Sequence, residues 1–203
     1  MMQSDDLSKY LPKYLSVENY QSLLDELKSF PENIDKRLYT TSLEKNILYQ
    51  GDGYNSLPVV DMAHLELGCK NKYGIIVSNT CDIDITNKRP YPSRIVYSPI
   101  FSLEKFLNLL KDNNIREDKI ENCLSDIRHQ RVTSIFYLPA VYEVPESLVF
   151  LDRLYNIENN YIDRSSLTQH RLFSLSDYGF YLFLFKLSVH FSRIRERVNR
   201  GHL

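Results

Sequence analysis

Short apolar runs separated by turn residues occupy the middle of the chain. Six runs rich in β-branched, aliphatic and aromatic side chains lie at 57–62, 73–77, 94–97, 134–138, 148–151 and 171–175. Runs of this length, bounded by clusters of glycine, proline and polar residues, are typical of β-strands. The pattern therefore predicts a small, mostly antiparallel β unit.

Helical spacing of apolar residues marks two further segments. A helix is predicted between Ser16, which can cap its N-terminus, and Pro31, which stops it, because apolar residues recur there three and four positions apart. The segment after Ser102 shows the same spacing twice, with a polar break at 112–114. It predicts a helical hairpin inserted at 102–129.

The last element is predicted to be a helix that begins after Ser176 and extends to about residue 199. Large apolar side chains occur on most sides of it, which is typical of a buried helix. Five of them exceed what one face needs, and these are Phe180, Phe183, Leu184, Leu187 and Phe191. We therefore expect the chain to form a homodimer through this helix.

No repeat, low-complexity tract or long linker divides the chain, so we interpret residues 1–203 as one composite domain. Its predicted parts are a helical segment at 1–46, strands at 47–101 and 130–175, the helical insertion at 102–129 and the C-terminal helix at 176–203. Helices before, within and after a sheet of this kind indicate the α+β class.

Charge and cysteine content exclude several classes of function. The 25 Lys and Arg residues nearly balance the 26 Asp and Glu residues, so no overall field attracts nucleic acid or an anionic membrane. Three cysteines in no paired spacing argue against a disulfide framework or a structural zinc site. The N-terminus lacks the order of a secretory signal, and no apolar run is long enough to span a bilayer. We expect a cytoplasmic protein without a cofactor, bound metal or membrane contact.

The strand predicted at 73–77 is followed by a cluster of chemically active side chains. Thr80, Cys81, Asp82 and Asp84 place a hydroxyl, a thiol and two carboxylates within a few residues. Catalytic and binding residues commonly lie on loops that a rigid strand positions. We therefore place a candidate catalytic site on this loop.

Three interpretations of the cluster stay open. Cys81 as a nucleophile would need a base and a lowered thiol pKa, whereas the neighbouring carboxylates raise that pKa. Cys81, Asp82 and His64 as metal ligands have no recognised spacing. In the structural alternative, Cys81 packs as a small apolar residue while Asp82 and Asp84 cap turns by accepting from backbone N–H groups.

Basic residues flank the cluster on both sides in the sequence. They are Lys70, Lys72, Lys88, Arg89 and Arg94. A strand, loop and strand would bring them to one rim, where Tyr73 and Tyr91 would add rings for base stacking. We expect this rim to bind nucleic acid or a partner protein, and the alternative is that these charges belong to separate solvated faces.

Several parts of the sequence resemble known proteins. The resemblance to the PemK/MazF-type toxin barrels is carried by Gly51-Asp52, the run at 73–78 and the strand at 94–98. A related family of uncharacterised bacterial proteins is similar in the Ser-x-Thr-Cys-Asp-Ile core at 78–83, in Phe136-Tyr137-Leu138-Pro139 and in Leu175-Ser176-Asp177. Together these segments cover residues 51–193.

The resemblance implies a small SH3-like (PemK-like) antiparallel β-barrel with the helical hairpin inserted and with N- and C-terminal helices. It also implies a toxin–antitoxin or phage-defence setting in which the protein binds RNA or a partner protein. Toxin barrels of this kind are homodimeric, sequence-specific endoribonucleases, so such an activity is one alternative. A non-catalytic structural or regulatory interaction module is the other.

The resemblance carries over only partly to catalytic residues. The basic turn of the toxins matches Lys70 and Lys72, which would make Lys72 the cation that stabilises the phosphate. Where those enzymes have an Arg-Arg-Pro turn, this chain has Lys72-Tyr73-Gly74, and it offers no matching histidine or arginine. We therefore expect weak or no ribonuclease activity.

Overall fold

The computed structural model describes residues 37–192, which form a mixed α+β fold. The strands are β1 Tyr39–Thr40, β2 Gly53–Val60, β3 Cys69–Ile76, β4 Arg94–Ser102, β5 Ile135–Leu138, β6 Ser147–Phe150, β7 Tyr155–Glu158 and β8 Arg171–Leu175. The helices are α1 Thr80–Ile83, α2 Leu103–Asp112, α3 Glu117–Arg128, α4 Leu167–His170 and α5 Asp177–Ser192. The helix predicted between Ser16 and Pro31, and the part of the last helix beyond residue 192, lie outside the described residues.

One antiparallel sheet contains all eight strands of residues 37–192. Its order is β1-β8-β2-β3-β4-β6-β5, and β7 pairs with β4 off this path. The first residues of β4 pair with β7 and its last residues pair with β6, so the long strand β4 connects both halves of the sheet. β1 and β5 stand at the two ends of the order. The sheet of the described residues is therefore open.

The six strands predicted from apolar runs are all present, although some begin or end several residues from the expected bounds. Two strands were missed. β1 has only two residues, and β7 buries only Ile157 within an otherwise polar segment, so neither leaves an apolar run in the sequence. Both depend on partners that are distant along the chain, β8 for β1 and β4 for β7.

The predicted helical hairpin is confirmed as α2 and α3. Ser102 caps α2, since its Oγ accepts from the backbone N–H of Lys105 at 3.4 Å. Leu103 and Ile127 are buried against Tyr137 and Leu148 in a separate apolar cluster. The hairpin thus covers the part of the sheet formed by β4, β5 and β6.

The C-terminal helix α5 is buried mainly by its own chain. Phe183 and Leu187, which we expected to exceed what one face needs, pack in the largest apolar cluster together with Leu38 and Ile75. Phe180 packs against the same cluster. The sheet and the segment before β1 therefore cover these three side chains, and the homodimer stays a prediction.

Lys186 interrupts the apolar sequence of α5, yet its side chain is buried. Its Nζ donates to the carbonyl oxygens of Gln130 at 2.8 Å and Val132 at 2.6 Å, in the connection between α3 and β5. Burial lowers the pKa of this ammonium group to about 8.

Within the described part of the chain, no helix is both long enough and apolar enough to cross a bilayer.

Candidate functional site

An open cleft of about 510 Å³ lies between the loop after α1 and the end of β7. Two segments of the chain form its walls. Residues 84–93 are the first wall, and residues 158–160 are the second. The lining residues are Asp84, Ile85, Asn87, Arg89, Pro90, Tyr91, Pro92, Ser93, Glu158, Asn159 and Asn160. The cleft therefore combines one arginine, two carboxylates, three asparagines and an aromatic ring. Hereafter "the cleft" means this set of residues.

Three hydroxyl and amide side chains after β3 hold the first wall in place. Ser78 Oγ accepts from the backbone N–H of Val96 at 2.7 Å. Asn79 caps α1, since its Oδ1 accepts from the N–H of Cys81 at 2.9 Å. Thr80 Oγ1 accepts from the N–H of Gln50 at 3.0 Å. The segment that sequence reasoning treated as a catalytic loop is thus a short capped helix bonded to its neighbours.

Cys81 and Asp82 fold the following loop back onto α1. The carbonyl oxygen of Cys81 accepts from Asn87 Nδ2 at 2.8 Å and from Arg89 Nη2 at 3.3 Å. Asp82 Oδ1 accepts from the same Arg89 nitrogen at 2.6 Å. Arg89 is consequently oriented at the cleft through one nitrogen, and its remaining N–H donors are not engaged by residues 37–192.

The two carboxylates of the cleft differ in how they are held. Asp84 Oδ1 accepts from the N–H and the Oγ1 of Thr86, both at 2.8 Å. These bonds, the backbone one first, lower the pKa of Asp84, and the charge of Arg164 adds to the effect. Asp84 therefore caps a turn, as the structural alternative predicted. The carboxylate of Glu158, by contrast, has no hydrogen bond or ion pair within the described residues.

The position of Glu158 follows from the pairing of β7 with β4. Arg94 stands directly opposite Glu158 in that register. The guanidinium of Arg94 instead donates through Nε to Asn156 Oδ1, two residues earlier on β7. The carboxylate of Glu158 is left exposed at the wall of the cleft.

Asn159 and Arg164 fix the second wall. Asn159 Nδ2 donates to Ile83 O at 3.0 Å and to Ser93 Oγ at 2.7 Å. Arg164 donates to Ile83 O at 3.1 Å and also bonds Asn159 Oδ1. All polar atoms of the Asn159 side chain are engaged, so this residue is structural. Sequence reasoning missed residues 158–164, because they form a polar stretch without a recognisable motif.

The expected single basic rim is only partly present. Arg89 and Tyr91 line the cleft, and Lys88 is exposed beside them. Lys70 and Lys72 do not line it, because they lie on the outer half of β3, where they pair only with β2. The loop with Thr80 to Asp84 follows the other end of β3. That end, Ile76, lies four residues beyond Lys72, or roughly 13 Å at the usual strand rise.

The remaining predicted residues also lie away from the cleft lining. Tyr73 is partly buried and packs against the largest apolar cluster. Thr80 and Asp82 act behind the wall through the bonds already given, and Arg94 begins β4. The structure therefore does not bring Lys72 together with Asp84 at the cleft, and the catalytic role of Lys72 stays a prediction.

The thiol of Cys81 is exposed and free. The prediction that it packs as a small apolar residue is wrong, because α1 turns it towards solvent while its carbonyl oxygen bonds the loop. None of the four histidines in residues 37–192 lines the cleft. Within the same residues, no group of three or more His, Cys, Asp and Glu side chains could hold a metal ion.

The Gly51-Asp52 pair of the toxin resemblance lies in the core instead of at the cleft. Asp52 is fully buried, and its carboxylate accepts from Ser174 Oγ at 2.6 Å and from the N–H of Tyr49 at 2.9 Å. Arg171 Nε lies 3.1 Å from Asp52 Oδ2. Burial raises the pKa of Asp52 to about 6, although the charge of Arg171 opposes the shift. This pair connects the start of β2 to β8.

The cleft presents groups that can bind a ligand. Arg89 offers free N–H donors, Glu158 offers a free carboxylate, and Tyr91 offers a ring that is 64% exposed. The chain matches no protein-family model and no curated protein.

Proposed function

We propose that this protein binds single-stranded RNA in the cleft, without cleaving it, in a toxin–antitoxin or phage-defence setting. The observation that carries the proposal is the presence of Tyr91, Arg89 and Glu158 around one open cleft. An exposed ring, a cation and polar groups are what a protein uses to stack a base, contact a phosphate and read a base edge. The setting follows from the resemblance to the toxin barrels.

Tyr91 is suited to stacking because of its flanking residues. Pro90 and Pro92 each fix one backbone angle, which keeps the loop extended and limits the conformational entropy lost on binding. The ring is 64% exposed, so a base can cover it. Stacking of one base on an aromatic side chain contributes about 1–3 kcal/mol.

Phosphate contacts would come from Arg89 in the cleft and from the exposed cations near it in the sequence. Arg89 keeps its orientation through Asp82, and its side chain remains 31% exposed. Lys88 and Arg94 are exposed on either side of it in the sequence. Two or three such contacts supply modest affinity that decreases with salt, because bound counterions are released from the RNA.

We propose that the antiparallel order β8-β2-β3-β4, with Gly51-Asp52 before β2, corresponds to a PemK-like SH3-type barrel whose strands are not closed by pairing. The absence of cleavage is supported by the separation of Lys72 from the cleft and by the pairing of Arg89 with Asp82.

RNA binding is tested by fluorescence anisotropy with a labelled pool of single-stranded RNA. We expect wild-type binding to weaken between about 50 and 200 mM salt. Tyr91→Ala should weaken it roughly 5-fold or more, as the loss of one stacked base predicts. Tyr142→Ala is the matched control, since Tyr142 is 76% exposed on another loop.

Each other outcome points to a different function. If wild-type protein binds no RNA even at low salt, the proposal fails, and a partner-protein or purely structural module takes its place. If both tyrosine variants lose affinity equally, the cleft is not the binding site. Specific shortening of the RNA would restore the endoribonuclease alternative.

We also propose that the protein is a homodimer through the outer side of α5. Phe185, Ser188 and Phe191 follow one another at spacings of three, and the two phenylalanines are 55% and 60% exposed. Burying two such rings contributes about 1.5–3 kcal/mol each.

Sedimentation velocity should show a dimer for the wild-type protein and a monomer for Phe185→Glu. Leu109→Glu is the control, because Leu109 is similarly exposed, at 56%, on α2. We expect this variant to remain dimeric. A wild-type monomer at every concentration would eliminate the dimer.

A further inference from the structure

Glu158 is the one carboxylate of the cleft that residues 37–192 leave entirely without a partner. It stands on the last position of β7, opposite Arg94, whose guanidinium bonds Asn156 instead. An ionised carboxylate in this position has both oxygens free to accept hydrogen bonds. The structure therefore leaves a two-acceptor group on the wall of a cleft that also presents the ring of Tyr91.

Resting on the proposed function, we infer that the cleft selects guanine at one nucleotide of the bound RNA. The base stacks on Tyr91, and its Watson–Crick edge donates to both oxygens of Glu158. Guanine carries two neighbouring donors on that edge, the N1–H and the 2-amino group. This pair matches the two acceptors of a carboxylate in a bidentate arrangement.

The other three bases do not offer this match. Adenine and cytosine each place one amino donor beside a ring-nitrogen acceptor, and uracil places one N–H between two carbonyl oxygens. Each of them would set at least one acceptor against a carboxylate oxygen. A site built to accept from two donors rejects such analogues, because its polar groups are then left unpaired in the complex.

The neighbouring polar groups leave this role to Glu158. Asn159 is fully engaged by Ile83, Ser93 and Arg164. Asp84 already accepts two bonds from Thr86 through one oxygen.

A cationic side chain of a partner protein is the rival ligand, since it would also satisfy Glu158 and the ring of Tyr91. Arg89 lines the same cleft and Lys88 is exposed next to it in the sequence, and both would repel a second cation. The same two residues attract the phosphate next to a bound base. The charges therefore favour a nucleotide.

The test is anisotropy with labelled oligouridines that carry one guanine, inosine, adenine or cytosine at the centre. We expect the guanine oligomer to bind wild-type protein at least tenfold more tightly than the uridine, adenine and cytosine oligomers. Inosine, which keeps N1–H and lacks the 2-amino group, should fall between them. Glu158→Gln should lose the preference, so that the guanine oligomer binds this variant no more tightly than the uridine, adenine and cytosine oligomers.

Glu121→Gln is the matched control, because Glu121 is exposed on α3 and far from the cleft in the sequence. It should retain the full preference. Equal binding of all oligomers by wild-type protein would overturn the guanine inference and leave RNA binding in place. Binding of none of them would overturn both. A preference that survives in Glu158→Gln would assign the selection to another residue and would equally overturn the inference.

Discussion

Arg171→Ala is expected to lower the free energy of unfolding by about 3–5 kcal/mol near pH 7. Its partner Asp52 is fully buried, and Arg171 supplies the opposite charge at 3.1 Å. Arg171 also donates to the carbonyl oxygen of Glu44 at 3.1 Å and to that of Ile47. Removal of the guanidinium leaves a buried carboxylate without its cation and frees the segment before β2.

The loss should be smaller in acid. Burial raises the pKa of Asp52 to about 6 even with Arg171 present, and it would rise further without that charge. A raised pKa means that the folded state binds the proton more tightly than the unfolded state, so the contribution of Asp52 to stability falls as pH rises from about 4 to 6. In Arg171→Ala the cost of burying a charged Asp52 carboxylate acts at neutral pH and is lost once acid protonates that carboxyl group.

Urea denaturation near pH 7 and near pH 4.5 measures both effects. The control is Arg131→Ala, since Arg131 and Asp126 form an exposed pair at 3.3 Å whose loss costs at most about 1 kcal/mol. Adding Asp52→Asn to Arg171→Ala should restore part of the stability near pH 7. A loss for Arg171→Ala that grows as the pH is lowered would contradict the explanation.

Gly179→Ala is expected to destabilise the protein by about 2–3 kcal/mol. In most helix interiors this change stabilises by up to about 1 kcal/mol, so the predicted sign is the reverse. A Cβ at this position of α5 would overlap with the carbonyl oxygen of Leu38 and lie 3.1 Å from its carbonyl carbon.

The overlap cannot be relieved cheaply. The obstacle is backbone, and the Leu38 side chain is fully buried. Its carbonyl oxygen also accepts from the N–H of Ser176 at 2.9 Å. Moving the segment before β1 would therefore break a hydrogen bond and disturb the largest apolar cluster.

Denaturant titration of Gly179→Ala against Ser125→Ala separates the steric effect from helix propensity. Ser125 is exposed on α3, so its replacement should be neutral or slightly stabilising. The steric explanation is wrong if Gly179→Ala is as stable as the wild-type protein.

The sequence by itself determined the elements whose signal is local. The apolar runs at 94–97 and 171–175 predicted β4 and β8, and the spacing after Ser102 predicted α2 and α3. Ser176 was correctly predicted to cap α5, since its Oγ accepts from the N–H of Gly179 at 3.1 Å. Each of these signals needs only residues within one or two turns, because side-chain periodicity and caps are properties of the element itself.

The sequence also located part of the cleft. Asp84, Arg89 and Tyr91 were singled out and do line it. Cys81 and Asp82 were predicted either to react or to be structural, and their bonds to Arg89 help to shape the wall. A short polar cluster looks the same in sequence whether its side chains face a ligand or hold a loop.

Only the tertiary structure decided which distant segments meet. Glu158 reaches the cleft because β7 pairs with the first half of β4, and Asn159 bonds Ile83 across 76 positions of the chain. Arg171 meets Asp52, and α5 buries Phe183 in its own chain instead of offering it to a partner. Such contacts follow from burial and hydrogen bonding summed over the whole sheet, and no local pattern in the sequence encodes that sum.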